Sequence, residues 1–207
     1  MSDNAAILGE AVAPLEWRTE APIETLKKTR QKAGHQEILG ETLAKFEFFQ
    51  YGWDPYAHFL DVDKVDLVLR RSRRNSIEYR DIQVKYGKLY EIMSKWEHKF
   101  FCVSSWRFFN VKELENLENR KGLYLAYVLS RDNRYQGDIL IFPIDEFVDA
   151  VKQSVRSGED RYKVYISKGH SNDNHWYVRR QGRKFERLDE TSVFDVSKHY
   201  RNFGCLG

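Results

Sequence analysis

A pair of alternating segments joined by a basic connection constrains this sequence more than any other feature. In VDLVL, residues 65–69, apolar side chains alternate with Asp66, and in SIEYRDIQVKY, residues 76–86, they alternate with Gln83 and Lys85. A period of two predicts β-strands, and a short polar connection predicts an antiparallel hairpin. An aspartate inside an apolar strand is costly unless it has a partner. We therefore expect the polar groups of this hairpin to form a site at one edge of a sheet.

The connection between the two segments is rich in arginine. Arg70, Arg71, Arg73 and Arg74 are expected to form an exposed turn that adjoins the polar groups of the hairpin. Arginines in that position can contact backbone phosphates, although a merely solvated turn explains them equally well. The net charge of +3 is too small to indicate a nucleic-acid binder by itself, so the local cluster carries that argument.

The order of helix-like and strand-like segments predicts a mixed α/β protein. A helix over residues 22–33 is followed by a second helix from about residue 35 to 51, which Gly52 ends. After the hairpin, residues 108–120 and 143–155 are typical of helices. Further strand candidates lie within residues 122–130, 137–147, 160–168 and 175–180. This order predicts a central mixed β-sheet flanked by helices.

The second predicted helix carries an apolar stripe and an acidic residue beside it. The stripe consists of Ile38, Leu39, Leu43, Phe46 and Phe49. At 3.6 residues per turn these positions share a face, which we expect to be buried. Glu41 falls on the shoulder of that stripe, about 120° from its centre. Glu41 therefore reaches the polar end of the hairpin if the helix packs across the sheet.

A chain of 207 residues is expected to form one domain with appendages. We expect residues 1–20 to be a flexible N-terminal arm, residues 21–155 the α/β core, and residues 156–207 a β-rich C-terminal extension packed on that core. Cys102 and Cys205 are far apart and in no paired motif, which argues against a disulfide framework or a cysteine zinc site and favours the cytoplasm. Neither a signal peptide nor a membrane span is predicted.

Other site motifs are weak in this sequence. His170 and His175 share a Gly/Asn loop at a spacing that suits neither a helical metal pair nor a zinc finger, so we interpret them as surface residues. The sequence has no glycine-rich phosphate loop, nucleophile elbow or dinucleotide fingerprint.

The polar residues of the hairpin resemble a known motif when they are taken with the helix before them. Asp66, Gln83 and Lys85, together with Glu41, resemble the PD-(D/E)xK nuclease superfamily, which has the restriction-endonuclease-like fold. The resemblance covers roughly residues 35–150. Asp66 stands at the family's motif Asp, Gln83 at its (D/E) position, Lys85 at its Lys, and Glu41 at the helix Glu of many members. Gln83 departs from the usual acid, although some members related to the Mrr restriction enzymes carry glutamine there.

The resemblance implies a metal-dependent DNA endonuclease that hydrolyses phosphodiester bonds. Asp66, Gln83 and Glu41 would hold Mg²⁺ or Mn²⁺, and Lys85 would orient water or offset charge on the phosphate. The partner would be DNA, with no membrane involved. A homodimer would suit cleavage of both strands, because two-fold symmetry matches two antiparallel scissile bonds.

Several alternatives stay open at this point. Glu37, one turn before Glu41, is a rival for the helix position, and Asp61, Asp63 and Asp81 are further candidate ligands. The same sequence also fits a catalytically inactive nuclease-like module that binds nucleic acid or a partner protein, or a structural subunit of a larger assembly. Metal binding at Asp66 is the property that separates the enzyme from these alternatives.

Overall fold

The computed structural model of the chain describes most of its residues. The described residues are 33–57, 64–132, 134–153, 160–170, 175–180, 184, 186–188 and 193–207. The predicted N-terminal arm, almost all of the helix predicted over residues 22–33, and the candidate ligands Asp61 and Asp63 lie outside the described residues.

Three α-helices and nine β-strands make up the described part of the chain. The helices are α1 (Ala33–Gln50), α2 (Val111–Glu118) and α3 (Ile144–Gln153). The strands are β1 (Asp54–Ala57), β2 (Leu67–Arg73), β3 (Ser76–Glu91), β4 (Phe101–Asn110), β5 (Leu123–Arg131), β6 (Arg134–Pro143), β7 (Arg161–Gly169), β8 (Trp176–Arg180) and β9 (Val193–Asp195). None of the described helices is long and apolar enough to cross a membrane.

Helix α1 occupies the span predicted for the second helix, but its buried face is not the predicted one. Gly52 lies just beyond its end with a φ of +80°, a conformation that favours glycine. Ile38, Phe46 and Phe49 are 65%, 58% and 66% exposed, whereas Phe48 is fully buried. The predicted stripe is therefore wrong for these three residues. Apolar residues occur around most of the helix circumference, so their spacing did not identify the face that packs on the sheet.

Strand β3 is the centre of the sheet and pairs with three other strands. Its first part pairs antiparallel with β2, residues 81–89 pair in parallel with β5, and its last two residues pair antiparallel with β4. Strand β1 continues the sheet beyond β2, and β6 continues it beyond β5. Beyond β4 follow β7, β8 and β9, all antiparallel. The sheet is therefore mixed, as the sequence predicts.

Helices cover both faces of this sheet. Phe48 of α1 packs in one apolar cluster with Ile82 and Val128. Leu114 of α2 and Phe147 of α3 belong to a second cluster, on the opposite face. Full burial of such side chains contributes about 1.5–3 kcal/mol each, so both faces contribute to stability. The predicted fold class, α/β with a central mixed sheet flanked by helices, is confirmed.

The connection of the β2–β3 hairpin is shorter than predicted. Arg70, Arg71 and Arg73 belong to β2, and only Arg74 and Asn75 form the turn. Three of the four arginines are consequently strand residues whose side chains alternate between the two faces of the sheet.

Strand β4 is the main element that the sequence analysis missed. Its last residues, 108–110, were assigned to the following helix, which instead begins at Val111. The side chain of Asn110 caps that helix by accepting a hydrogen bond from the backbone N–H of Lys112 at 2.9 Å. The cap explains why the change from strand to helix falls at this residue.

Candidate active site

The sheet splits along one edge of β3, and a pocket lies in the split. On that edge β2 pairs with β3 as far as Ile82, and β4 pairs only with Tyr90 and Glu91. Between these ladders no described strand pairs with this edge, because the rest of β4 pairs only with β7. The pocket has a volume of about 270 Å³. The residues that line it include Glu41, Lys64, Asp66, Gln83, Lys85 and Arg107. The structure thus brings together all four residues predicted to hold metal or take part in catalysis.

Asp66 stands one residue before β2 and closes the ladder between β2 and β3. Because Leu67 lies opposite Ile82, Asp66 lies opposite Gln83, and their side chains share one face of the sheet. The Asp66 backbone N–H donates to the carbonyl of Ile82 at 2.9 Å. Its carboxylate Oδ2 accepts from the Val84 N–H at 2.6 Å. A charge-assisted hydrogen bond to the backbone fixes this carboxylate at the pocket wall.

Gln83 is a buried polar residue with an unsatisfied atom. Its side chain is 2% exposed, and its amide oxygen Oε1 is buried without a hydrogen-bond partner among the described residues. An unpaired buried acceptor costs about 1–3 kcal/mol, and native proteins contain few of them. Since Gln83 lines the pocket, a cation or a hydrogen-bond donor that reached this oxygen would relieve the cost.

Lys85 follows two positions later on the same face of β3. Burial lowers the pKa of its ammonium group, and the nearby positive charge of Arg107 lowers that pKa further. The carboxylates of Asp66 and Glu113 act in the opposite direction, and the net effect is a lowered pKa. A half-buried ammonium is screened less by water than a surface lysine, so it attracts an anion in the pocket more strongly.

Helix α1 brings two carboxylates to the pocket, those of Glu41 and of its rival Glu37. The helix approaches β3 closely, because a Cβ atom at Gly40 would lie 2.8 Å from the Cβ of Tyr86. Only glycine permits this approach without a shift of the backbone. Glu41 also forms an ion pair with Lys45 at 3.9 Å. Both glutamates therefore face the pocket, and the position of the helix does not favour one over the other.

Two further charged residues, Arg107 and Lys64, line the pocket and were not predicted. The guanidinium of Arg107, on β4, donates a hydrogen bond to the backbone carbonyl of Tyr86, on β3, at 3.5 Å. Lys64 lines the pocket and forms an ion pair with Glu113 of α2 at 3.2 Å. The alternation of Trp106, Arg107 and Phe108 is a strand pattern that could have located Arg107. No local pattern connects Lys64 with Glu113, because only the fold brings them together.

The donor atoms of the pocket suit a hard divalent cation. Mg²⁺ and Mn²⁺ prefer oxygen ligands, and Asp66, Glu41 and Gln83, which line the pocket, carry carboxylate or amide oxygens. Within the described residues, no three side chains of His, Cys, Asp or Glu are grouped to hold a metal ion. The amide oxygen of Gln83, which has no described hydrogen-bond partner, is a further oxygen that a cation at these residues would have available.

The remaining candidates from the sequence lie elsewhere. Asp81 is exposed on β3 and does not line the pocket. The ring Nε2 of His170 lies 2.5 Å from the carbonyl oxygen of His98. The ring Nδ1 of His175 lies 3.7 Å from a carboxylate of β9. Each histidine thus has a local contact that does not involve the pocket.

The arginines predicted to bind nucleic acid lie at the opposite end of the hairpin from Asp66. Seven strand positions separate Asp66 from Arg73, about 23 Å at about 3.3 Å per residue. Arg73 and Arg74 therefore do not adjoin the site, whereas Arg70 lies only four strand positions from Asp66. Arg71 and Arg73 both pair with Glu78, at 2.8 and 3.0 Å. Arg70 pairs with an aspartate of β1 at 3.4 Å. Acidic neighbours thus offset much of this positive charge.

Comparison with known proteins assigns the chain to no family. No family model matches it, and no curated protein matches it. Among solved structures it is similar to a bacterial homing endonuclease, I-Ssp6803I, with a TM-score of 0.39 and 12% identity over 75% of this chain and 85% of that one. It is also similar to Hjc, a Holliday junction resolvase from Archaeoglobus fulgidus, with a TM-score of 0.33 and 18% identity over 59% of this chain and 84% of that one. The functional conclusion therefore rests on the chemistry of the pocket.

Proposed function

We propose that this chain is a metal-dependent DNA endonuclease of the PD-(D/E)xK type, which hydrolyses phosphodiester bonds. The observation that carries the proposal is the buried, unpaired amide oxygen of Gln83, a residue that lines the same pocket as Asp66. A fold retains an unsatisfied buried acceptor at a cost, and binding of a cation at that atom would offset the cost.

The metal ligands in this proposal are Asp66, Gln83 and a glutamate of α1, Glu41 or its rival Glu37, and the ion is Mg²⁺ or Mn²⁺. Two carboxylates and one amide oxygen form a hard donor set with two formal negative charges. A divalent cation at these oxygens would supply Lewis-acid stabilisation of the charge that develops on the phosphate. The hydrogen bond from Val84 to Asp66 keeps the carboxylate in place before any ligand arrives.

Lys85 and Arg107 supply positive charge to the pocket, together with Lys64, which is paired with Glu113. The Lys85 ammonium lies in the wall beside Gln83, where it can offset charge on a bound phosphate or orient the attacking water. Arg107 adds a second cation on the other side of the split. The lining contains three carboxylates as well as three cations, so the pocket would attract a polyanion such as DNA once a bound divalent cation makes its net charge positive.

The hairpin arginines remain part of the proposal as a secondary contact to DNA phosphates. Arg74 is exposed on the turn and forms no ion pair with the described residues. Arg71 lies over the ring of Trp53 at 4.1 Å and shares Glu78 with Arg73. We therefore expect Arg74 to contribute most and the two paired arginines less.

A catalytically inactive module that binds nucleic acid or a partner protein is the second candidate. It is favoured by the absence, within the described residues, of any group of three metal-binding His, Cys, Asp or Glu side chains. In that case Gln83 replaces the acid that an active metal site would have at this position. The pocket then binds a phosphate through Lys85 and Arg107 alone. Such a module needs no divalent cation for binding.

Incubation of the pure protein with supercoiled plasmid separates these two candidates. We expect nicked or linear plasmid with Mn²⁺ or Mg²⁺ and none with EDTA. Asp66→Asn is the matched control, because its amide oxygen can still accept the Val84 hydrogen bond while the negative charge is lost. Absence of cleavage in every metal would contradict the endonuclease and support the inactive module.

Cleavage of both strands of a duplex would require two pockets in opposite orientation. We propose a homodimer as the form that achieves this, because two-fold symmetry matches the two scissile bonds. Sedimentation equilibrium with and without a short duplex measures the stoichiometry. Appearance of linear plasmid from a strictly monomeric protein would contradict the dimer.

A further inference from the structure

The outer face of β4 and β7 carries large aromatic side chains that no described residue covers fully. Trp106 is 46% exposed and Phe108 is 52% exposed. Their ring centroids are 5.6 Å apart, with an angle of 79° between the planes. Tyr165 lies opposite Trp106 on β7, and Lys163 lies opposite Phe108. We call these four residues the aromatic patch.

A lysine lies among the rings of the aromatic patch. The ammonium Nζ of Lys163 is 4.3 Å from the ring centroid of Trp106, 5.2 Å from that of Tyr165 and 5.9 Å from that of Phe108. These are cation–π distances. Within the described part of the chain, Lys163 forms no ion pair with a carboxylate. Its positive charge is therefore held beside apolar rings without an acidic partner.

The aromatic patch and the pocket lie on opposite sides of one short segment of β4. Along β4, Arg107 stands between Trp106 and Phe108, and successive side chains of a strand point to opposite faces. Arg107 lines the pocket, and its neighbours Ser105 and Phe109 are buried on the same side. A polymer that occupies the pocket therefore meets the aromatic patch when it passes around this edge of β4.

We propose that the aromatic patch binds an unpaired base of a DNA strand whose backbone enters the pocket, so that the protein engages single-stranded or locally unpaired DNA. This inference rests on the proposed function, because the pocket supplies the neighbouring phosphate contact. Every base has a π-face that can stack on tryptophan or phenylalanine. Because the two rings are nearly perpendicular, one base can contact one ring through its face and the other through its edge.

The charge of the aromatic patch favours a nucleic acid over an apolar protein surface. A purely apolar partner would remove water from Lys163 without supplying an anion, which is unfavourable. A nucleotide supplies both groups that the patch lacks, a flat ring for Trp106 or Phe108 and a phosphate for Lys163. Exposed aromatic rings beside cations are the usual elements of single-strand binding surfaces.

The test is a binding measurement without metal, which does not depend on cleavage. Fluorescence anisotropy in EDTA compares a labelled oligothymidylate with an abasic strand of equal length and charge. We expect the wild type to bind the oligothymidylate more tightly. Trp106→Ala/Phe108→Ala should weaken that binding about 5-fold or more, because stacking contributes about 1–3 kcal/mol per base. The affinity of this double variant for the abasic strand should equal that of the wild type.

Two further variants test whether the loss of affinity is specific to the aromatic rings on β4. Phe46→Ala/Phe49→Ala removes two rings of similar exposure from α1 and should bind both strands as the wild type does. Trp106→Leu/Phe108→Leu keeps apolar side chains on β4 and removes only the π-faces. We expect this variant to lose affinity for oligothymidylate as the alanine variant does.

The outcomes separate failure of this inference from failure of the proposed function. Equal binding of the two strands by the wild type would overturn the inference, as would wild-type affinity in the Trp106→Leu/Phe108→Leu variant. If either occurs while the plasmid is cleaved, the endonuclease stands and the aromatic patch has no such role. Loss of base-dependent binding in both patch variants supports the inference even if the wild type never cleaves DNA.

Discussion

The two ends of the β2–β3 hairpin carry polar groups of opposite character. At the turn, Arg71 and Arg73 share the carboxylate of Glu78. At the open end, Gln83 is buried with an oxygen that no described residue satisfies, beside the carboxylate of Asp66. The sequence makes the turn look like the binding surface, because four of its residues are arginine. The structure shows that much of this charge is already paired within the chain.

The contrast indicates how to separate structural from ligand-binding polar residues. Surface ion pairs contribute little to stability, about 0–1 kcal/mol, and they reduce the charge available to a partner. A buried acceptor without a donor is costly unless something outside the chain completes it. The number of charges favours the turn, whereas the unsatisfied buried acceptor of Gln83 favours the pocket. Substitutions at the two ends of the hairpin test that distinction.

The largest effect should come from the charge of Asp66. Asp66→Asn should reduce plasmid cleavage by more than about 100-fold, since changes one shell further from a metal already cost about 10–100-fold. The fold should persist, because the amide oxygen can accept the hydrogen bond from Val84. Initial rates at saturating Mn²⁺ and thermal unfolding measure the two effects. Cleavage by Asp66→Asn at the wild-type rate would contradict the metal centre.

Substitution of Gln83 tests whether its amide is a ligand. Gln83→Ala should lose most cleavage yet unfold within about 1 kcal/mol of the wild type, because loss of packing is offset by removal of an unpaired buried amide. Gln83→Glu should cleave at lower Mg²⁺ concentration, since a second carboxylate near Asp66 tightens metal binding. Metal titrations of the cleavage rate check both expectations.

Two results would change the interpretation of Gln83. If Gln83→Ala cleaves as well as the wild type, this residue is not a ligand. If the wild type is inactive and Gln83→Glu gains cleavage, the natural chain is the inactive module and glutamine replaced an acid in it.

A smaller effect is expected from the hairpin arginines. Three independent phosphate contacts would change the log–log salt slope of duplex binding by about 2.7, at about 0.9 each. The triple variant Arg71→Ala/Arg73→Ala/Arg74→Ala should change it by less, and Arg74→Ala alone should account for most of the change. The reason is that Glu78 already neutralises part of the charge of its two partners. Equal slopes for the three single variants would show that the ion pairs do not limit DNA contact.

The smallest expected effect is the pH dependence of the stability that Glu78 contributes near the turn. The hydrogen bond from Arg71 lowers the pKa of Glu78, and the positive charges of Arg73 and Arg80 act in the same direction. A depressed carboxyl pKa stabilises the fold above the unfolded value, about 4.3, and this contribution is lost as the pH falls through the folded value. Glu78→Gln should therefore lower stability at pH 7 and leave it unchanged at the lowest pH that maintains the fold. Urea unfolding across this range measures the difference.

The sequence predicted the hairpin and its polar face because a period of two determines which residues share a face. Asp66 and Gln83 were placed together on that basis, and the register puts them opposite each other. The sequence did not predict the split between β2 and β4 that forms the pocket, since it depends on how β4 leaves β3. Arg107 lines the pocket because of that split, so the sequence did not predict its place in the site.

The buried face of α1 could not be predicted for a different reason. Its apolar residues point in most directions, and Gly40 rather than a large side chain marks the contact with Tyr86. The pairing of the hairpin arginines also depends on the register, which places Arg71 opposite Glu78. An arginine-rich segment in a sequence says nothing about whether acidic neighbours offset its charge.

Soaking crystals of the protein in Mn²⁺ shows whether the pocket holds a divalent cation through Asp66 and Gln83. We expect an anomalous difference peak in the pocket, within about 2.0–2.6 Å of a carboxylate oxygen of Asp66 and of the amide oxygen of Gln83. The same soak of Asp66→Asn crystals should show no peak there. Mn²⁺ bound only elsewhere on the wild-type protein, with the pocket free of anomalous density, would mean that Asp66 and Gln83 do not form a metal site.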